Sequence, residues 1–289
     1  MTTTPKRIGV IANKKRADAG IVLEKLQRKA DELGFSLITC EQTHQFLPKA
    51  THVGPSDFVH SIDLLMALGG DGTLLFCARL LNGAKVPIFG INLGNLGFLT
   101  SLREEELETA MDAIASGKVR VSPRTMMHCK VIGEGETIRE YRALNDLVLS
   151  WGSSVRIANI EVTVDDRPVT IYACDGLIVS TPTGSTGHSL SAGGPIVHPE
   201  TTAFIMTVIC PHSLSARPVV IPEQSKIRIL LKGSKELILA VDGQSGLPLT
   251  PGHELEIVRA DHGVELLTLP SYSYFSVLRE KLGWRGSST

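Results

Sequence analysis

The feature that most constrains this chain is the stretch GGDGT at residues 69–73. The apolar residues 62–68 before it predict a short buried strand. After it, apolar residues of 74–81 recur at helical spacing and predict a helix. Three glycines around one carboxylate favour a backbone held close to a bulky ligand, because glycine loses much entropy in a fixed loop. The stretch therefore predicts a strand–loop–helix unit of an α/β layer with a binding loop.

The carboxylate of Asp71 has a predicted chemical role. Backbone N–H groups at a helix N-terminus favour anions, and phosphate is the usual one. Since a carboxylate and a phosphate repel each other, Asp71 is expected to act as a general base toward a hydroxyl or as a magnesium ligand. The alternative is a glycine-rich turn with a capping aspartate. The sequence has neither a Walker loop nor a G-x-G-x-x-G dinucleotide fingerprint.

The pattern of elements predicts two domains. Strands alternate with helices over residues 1–119, which is typical of an α/β domain. Over residues 120–269, short strands separated by turn signals predict a mostly-β domain. In the C-terminal segment 270–289, a predicted helix over 273–282 is expected to pack back on the first domain, with Phe275 on its apolar side.

Composition narrows the possible partners. With 29 basic and 30 acidic residues the net charge is −1, which argues against nucleic acid or an anionic membrane as a partner. No apolar run is long enough to span a bilayer, and no signal-peptide pattern is present. The five cysteines have neither disulfide nor metal-site spacing, so a reduced, cytoplasmic location and no protein-held metal are predicted.

A second unusual stretch lies in the predicted β domain. Residues 175–195 contain a strand that ends at Ser180, followed by a dense run of glycine, serine and threonine. Small residues let a ligand approach the backbone, and hydroxyl groups supply donors and acceptors suited to ribose, amide and phosphate groups. The alternative is a Ser/Thr-rich surface loop.

Several motifs together resemble one enzyme family. The stretch 69–73 resembles the phosphate-handling loop shared by NAD kinases, diacylglycerol-type lipid kinases and 6-phosphofructokinases. Residues 175–195 resemble the long glycine- and serine-rich signature of NAD kinases, and residues 143–149 resemble that family's Asn-acid motif. Residues 210–220 resemble its PHSLSxRP segment, and 242–244 resemble its DGQ turn. In this order, and over nearly the whole chain, the sequence is similar to the NAD kinase family.

The resemblance implies a fold, a reaction and partners. The fold would be an α/β domain supplying the phosphoryl-donor site and a β domain supplying the dinucleotide site. The reaction would be ATP-dependent phosphorylation of the 2′-hydroxyl on the adenosine ribose of NAD, giving NADP, with Mg²⁺ arriving on ATP. A homo-oligomer, dimer or tetramer, with shared sites is also implied. The alternatives are a diacylglycerol-type lipid kinase and a non-catalytic dinucleotide sensor.

The resemblance also implies roles for single residues. Asp71 would be the proton acceptor and, with Gly72, would contact the dinucleotide. Asn145 and Asp146 would bind ribose hydroxyls, although Asp146 alone could equally be a turn or edge residue. Further implied substrate-contacting positions are Arg156, Ala173, Asp175, Thr186, Gly187, His188, Ser189, Leu190, Ser191 and Gln244.

The sequence departs from the family at three places. Relatives have Ala-Tyr where this chain has Gly187 and His188, a polar or basic residue is common where it has Phe76, and some members carry a basic residue at Ala173. The imidazole of His188 could lie flat against a base or nicotinamide, as a tyrosine ring can, or could be a surface group that points away. Arg156, without the resemblance, would be an ordinary solvated charge on a strand.

Overall fold

The computed structural model describes residues 5–13, 19–40, 43–100, 102–151, 157–233 and 236–284. The helices are α1 (Ala19–Leu33), α2 (Pro55–Phe58), α3 (Asp71–Leu81), α4 (Leu107–Ala115), α5 (His188–Ser191) and α6 (Tyr274–Leu282). The strands are β1 (Arg7–Ala12), β2 (Ser36–Thr39), β3 (Thr51–His52), β4 (Leu64–Leu68), β5 (Ile88–Asn92), β6 (Leu102–Arg103), β7 (Arg120–Arg124), β8 (Met127–Gly133), β9 (Glu136–Ala143), β10 (Asp146–Trp151), β11 (Ala158–Val164), β12 (Arg167–Cys174), β13 (Gly176–Ser180), β14 (Ala203–Ile209), β15 (Val219–Pro222), β16 (Ile227–Lys232), β17 (Leu237–Val241), β18 (Gln244–Leu249), β19 (Glu254–Arg259) and β20 (Val264–Thr268). Within these ranges, no helix has the length and apolar character needed to cross a membrane.

The chain divides into two compact units. The first contains Met1–Pro123 and Val264–Thr289, and the second contains Arg124–Gly263. The first has a mostly parallel sheet with helices and the second consists mainly of β-strands, which confirms the predicted fold class. From the sequence, the limits are predicted after residues 119 and 269. The division in the structure differs because β20 pairs in parallel with β5 in the sheet of the first unit.

The sheet of the first unit has the strand order β3-β2-β1-β4-β5-β20-β7, with β6 beside β5. Strand β4 lies in the middle, pairs in parallel with β1 and β5, and is buried along its whole length. Leu64, Met66 and Leu68 point into an apolar cluster shared with α1 and α4, whereas Leu65 and Ala67 alternate to the other face. Burial on both faces explains the continuous apolar run that predicted this strand.

Helix α6 belongs to the first unit and starts next to the predicted position. Its buried side consists of Tyr274, Val277 and Leu278, at the i, i+3, i+4 spacing of one helix face. Phe275 was expected on the apolar side, and that expectation is wrong, because Phe275 is 57% exposed. A helix advances about 100° per residue, so Phe275 falls beside the buried face rather than on it.

The second unit contains two six-stranded sheets. Their strand orders are β15-β14-β13-β10-β17-β18 and β12-β11-β16-β19-β8-β9, and every recorded neighbour pair is antiparallel. One apolar cluster includes alternate residues of both sheets, such as Leu177 and Val179 of β13 with Ile227 and Ile229 of β16. Strands β10, β13 and β17 are neighbours in the first of these sheets. The segments that connect to them therefore come close together at one end of the three strands.

Candidate functional site

The glycine loop connects β4 directly to α3. Strand β4 ends at Leu68, and α3 begins at Asp71. A Cβ atom at Gly69 would collide with the Thr73 side chain, so a glycine is required there by close approach. The Gly69 amide donates to the carbonyl of Ile91 (2.9 Å), and its carbonyl accepts from the amide of Leu93 (3.3 Å). The loop is therefore tied to the end of β5.

The carboxylate of Asp71 binds backbone groups of a distant segment. Its Oδ2 accepts from the amide of Phe98 (2.8 Å), and its Oδ1 accepts from the amides of Leu99 (3.0 Å) and Thr100 (3.2 Å) and from the Thr100 hydroxyl (3.3 Å). The N-cap of α3 is Gly70, and Asp71 makes no cap hydrogen bond. The capping alternative is therefore wrong: the carboxylate holds residues 98–100 and stays partly exposed.

Asn145 and Asp146 lie at the start of β10 with their side-chain oxygens available. Asp146 is 1% exposed, and its Oδ2 lies 3.3 Å from Nδ1 of His188. The Oδ1 atoms of Asn145 and Asp146 are both buried and have no hydrogen-bond partner among the described residues. Buried acceptors are normally satisfied, so two adjacent open ones are suited to the hydroxyl groups of a ligand.

The electrostatics at this end of the strands depend on two buried carboxylates, those of Asp146 and Asp242. Burial raises the pKa of Asp146, and the charge and hydrogen bond of the nearby His188 partly oppose that rise. Burial likewise raises the pKa of Asp242, whose carboxylate accepts backbone hydrogen bonds that lower it, while the charge of Asp146 raises it further. A ligand hydroxyl that donates to Asp146 would compensate part of this unfavourable burial.

The loop after β13 lies against this pair. A Cβ atom at Gly184 would collide with the carbonyl of Asn145, and one at Gly187 would stand 3.2 Å from Oδ2 of Asp146. The hydroxyls of Ser180 and Thr183 are buried and have no partner within the described ranges. These two hydroxyls were not singled out as site residues from the sequence, although both belong to the glycine- and serine-rich stretch.

The predicted contact residues 186–191 do not all face the same way. His188 and Ser191 are exposed, and Thr186, Gly187 and Leu190 are half-buried. Ser189 is buried, and its hydroxyl shares a 2.9 Å hydrogen bond with the hydroxyl of Thr207 on β14. The Ser189 side chain thus points into the sheet.

Other predicted residues are spread along the sheet. Gln244 lies at the same end as Asp146, because Val241 of β17 pairs both with Leu147 of β10 and with Gln244. Asp175 lies at the opposite end of β13, since Ser180 pairs with Asp146 but Gly176 pairs with Ser150. Asp175 is therefore roughly 17 Å from Ser180 at about 3.4 Å per residue. Ala173 belongs to β12 in the other sheet, where it pairs with Asn159 of β11. In the first unit, Gly72 is exposed beside Asp71. Arg156 lies outside the described residues.

The fold and the glycine loop define a class of protein, the phosphotransferases with a GGDGT loop between a parallel strand and a helix. Comparison with family models narrows this class. The ATP-NAD kinase N-terminal domain matches residues 8–119, and the ATP-NAD kinase C-terminal domain matches residues 144–269. The chain belongs to the NAD kinase family. The predicted family and enzyme activity are confirmed. The NAD kinase prediction is therefore preferred to the lipid kinase and to the non-catalytic sensor.

Relatives of similar length support this assignment. The chain is 40% identical over 284 residues to the NAD kinase of Gemmatimonas aurantiaca, covering 98% of this chain and 97% of that one. It is 39% identical over 280 residues to the NAD kinase of Solibacter usitatus, covering 96% and 98%.

Solved structures share the fold. Yeast NADH kinase, crystallised as a complex with NADH, superposes with a TM-score of 0.90 at 27% identity, covering 99% of this chain and 90% of that one. An NAD kinase from Archaeoglobus fulgidus, crystallised in complex with ATP, has the same fold with a TM-score of 0.73 at 24% identity, covering 97% and 100%.

Proposed function

We propose that this NAD kinase transfers the γ-phosphoryl group of ATP to the 2′-hydroxyl on the adenosine ribose of NAD. The 2′-oxygen forms a bond to the γ-phosphorus, the bond from that phosphorus to the bridging oxygen of ADP breaks, and ADP leaves. Asp71 accepts the proton of the 2′-hydroxyl. Its Oδ2 atom accepts only one hydrogen bond, from the amide of Phe98. Since a carboxylate has about four lone-pair positions, Oδ2 can accept another hydrogen bond. The resemblance of the GGDGT loop supports this role.

The observation that carries the binding proposal is the pair of open acceptors at Asn145 and Asp146. Both Oδ1 atoms are buried without a partner in the described part of the chain. Before the transfer, vicinal ribose hydroxyls can donate to a carboxylate and to an amide oxygen at once, and the 2′-hydroxyl gives up its one proton to Asp71 only as the new bond to phosphorus forms. Hydrogen bonds to a charged group contribute about 1.5–3 kcal/mol, so this pair can supply much of the affinity for the ribose. NADH bound to yeast NADH kinase, a structure with the same fold, supports a dinucleotide here.

We infer that Mg²⁺ enters with the triphosphate. Among the described residues, no three His, Cys, Asp or Glu side chains converge as ligands. Mg²⁺ commonly keeps several waters and is held largely through substrate phosphates, so the triphosphate itself can bring the ion. When bound, Mg²⁺ neutralises charge on the β- and γ-phosphates.

Asp175 lies too far along β13 from Ser180 to share a ribose with Asn145 of the same chain. The dimer or tetramer with shared sites that the sequence predicted stays a proposal, and light scattering of the purified protein tests it. The cytoplasmic location also stays a prediction.

The experiment for the reaction uses ATP, Mg²⁺ and two acceptors. We expect NAD to be converted to NADP. The analogue that lacks the 2′-hydroxyl on its adenosine ribose should not be phosphorylated, and it should compete with NAD more weakly, through its remaining 3′-hydroxyl. Phosphorylation of that analogue would show that another hydroxyl is the acceptor, and competition with no loss of affinity relative to NAD would show that the ribose pair does not bind the 2′-hydroxyl.

His188 provides a prediction about pH. Replacing His188 with phenylalanine keeps a flat ring but removes the group that lowers the pKa of Asp146, so that pKa should rise. Since ribose binding needs the ionised carboxylate, wild-type affinity for NAD should fall as pH falls, and in the variant this fall should begin at higher pH. The measurement is the KM for NAD from about pH 4 to about pH 8, which covers a carboxyl pKa raised above its usual value of about 3.9 and the ordinary histidine pKa of about 6.5. Identical profiles would mean that His188 does not influence Asp146.

A further inference from the structure

Three successive amide groups before β10 are held by one buried carboxylate. Asp242 accepts from the amide of Leu144 at Oδ2 (3.0 Å) and from the amides of Asn145 (2.7 Å) and Asp146 (3.2 Å) at Oδ1. Its own amide donates to the carbonyl of Asp146 (3.0 Å). Asp242 is 3% exposed, so these bonds lie away from water. Charge-assisted bonds of this kind are stronger than those between neutral groups.

The opposite side of the same segment is held by Thr181. The Thr181 hydroxyl donates to the carbonyl of Leu144 (2.5 Å), and its amide donates to the carbonyl of Asn145 (2.9 Å). The same hydroxyl accepts from the amide of Gly184 (3.2 Å), which ties the loop after β13 to the segment. Residues 144–146 are thus fixed on both their amide and their carbonyl sides.

Asp242 lies in the hairpin turn between β17 and β18. Asp242 has a left-handed φ of 49°, and Gly243 follows with a φ of 71°. Aspartate followed by glycine is a preferred pair in two-residue hairpin turns with this conformation. The turn therefore accounts for the residue type at 242, and the three bonds to the segment give its carboxylate a second role.

We propose that Asp242 and Thr181 are positioning residues for NAD, which aim the open oxygens of Asn145 and Asp146 at the ribose hydroxyls. This inference rests on the proposed role of that pair in ribose binding. The backbone bonds fix where the two side chains start, while their Oδ1 atoms stay unpartnered among the described residues. Neither positioning residue contacts the substrate. A small shift of the segment would misdirect both acceptors together.

The test is the variant Asp242→Asn, with NAD and ATP measured separately. The amide NH₂ cannot accept, so at least one of the three backbone amides loses its partner. We expect KM for NAD to rise roughly 10–100-fold, the range in which misplacement of about 1 Å falls. The KM for ATP should stay within about twofold of the wild-type value, which is a much smaller change than the rise of at least about tenfold expected for NAD. A general weakening of the fold would not separate the two substrates.

Asp165→Asn is the matched control. Asp165 also lies in a turn with a φ of 49°, accepts from the amide of Lys226 (2.9 Å) and donates its own amide to the Lys226 carbonyl (2.9 Å). It therefore repeats the reciprocal pairing of Asp242 with Asp146 at a turn that none of the proposed site residues occupies. We expect no separation of the KM values in this variant. If Asp165→Asn raised KM for NAD as strongly, the positioning proposal would be overturned.

A second pair of variants tests the other side and does not depend on whether Asp242→Asn folds. Thr181→Val removes the hydroxyl at nearly constant shape and should raise KM for NAD. Thr181→Ser keeps the hydroxyl, so its KM for NAD should stay close to that of the wild type. Asn145→Ala separates the two proposals. If Asn145→Ala leaves KM for NAD unchanged, the proposed ribose site fails. If it raises KM but neither Asp242→Asn nor Thr181→Val does, only the positioning proposal fails.

Discussion

Replacing Asp71 with asparagine should lower kcat by about 10²–10⁴-fold, the usual contribution of a positioned general base. The amide cannot take the proton of the 2′-hydroxyl, although it has nearly the same shape. NAD binding should persist, because Asn145 and Asp146 supply the proposed ribose contacts. The measurement is kcat at saturating ATP and NAD, with the dissociation constant of NAD determined separately by calorimetry.

The bonds from Asp71 to residues 98–100 require a control for lost anchoring. Asp63→Asn is suitable. Asp63 lies just before β4, and its carboxylate also accepts hydrogen bonds from two backbone amides, those of Lys6 (3.0 Å) and Arg7 (2.9 Å). It should lower stability without changing kcat. A near-normal kcat in Asp71→Asn would show that Asp71 orients the loop and is not the base.

Much of the fold of the first unit could be predicted from residues that are contiguous in the sequence. The β4–loop–α3 arrangement follows from a buried apolar run, three glycines and a helical apolar pattern that are contiguous in the chain. What Asp71 binds could not be predicted, because its partners Phe98, Leu99 and Thr100 are 27, 28 and 29 residues away. Helical propensity and turn chemistry act over a few residues and contain no information about such a contact.

In the second unit, the sequence predicted strands but not their order. Turn signals give the ends of strands, whereas the pairing of β10 with both β13 and β17 depends on long-range packing. The roles of Asp242 and Thr181 are hidden for the same reason. Asp242 is 96–98 residues from the amides that it holds, and the DGQ turn alone predicts only a hairpin.

Replacing Asp146 with asparagine should stabilise the protein while weakening NAD binding. In the folded chain, burial raises the pKa of Asp146 above the value for an unfolded chain. The folded state therefore holds this proton more tightly, and stability falls as pH rises from the unfolded value through the raised one. Above that window the buried charge is a constant penalty, which an uncharged asparagine removes.

The gain in the free energy of unfolding should be full at pH 7 and should shrink toward low pH, where the wild-type carboxyl is protonated in both states. Urea titrations of both proteins at several pH values measure it. Asp166→Asn is the control, because Asp166 is exposed and pairs with Arg228 at 2.6 Å, so it should give no gain. An equal gain in both variants would contradict a specific burial penalty at Asp146.

Affinity for NAD should change in the opposite direction. Loss of a hydrogen bond to a charged group, about 1.5–3 kcal/mol, corresponds to an increase of roughly 10–150-fold in the dissociation constant. KM for ATP should be nearly unchanged. Because the fold alone disfavours a carboxylate at this buried position, its presence is best explained by the ligand that donates to it. A variant that is both more stable and as tight for NAD would mean that Asp146 has no such ligand, and the ribose would then have to be bound elsewhere.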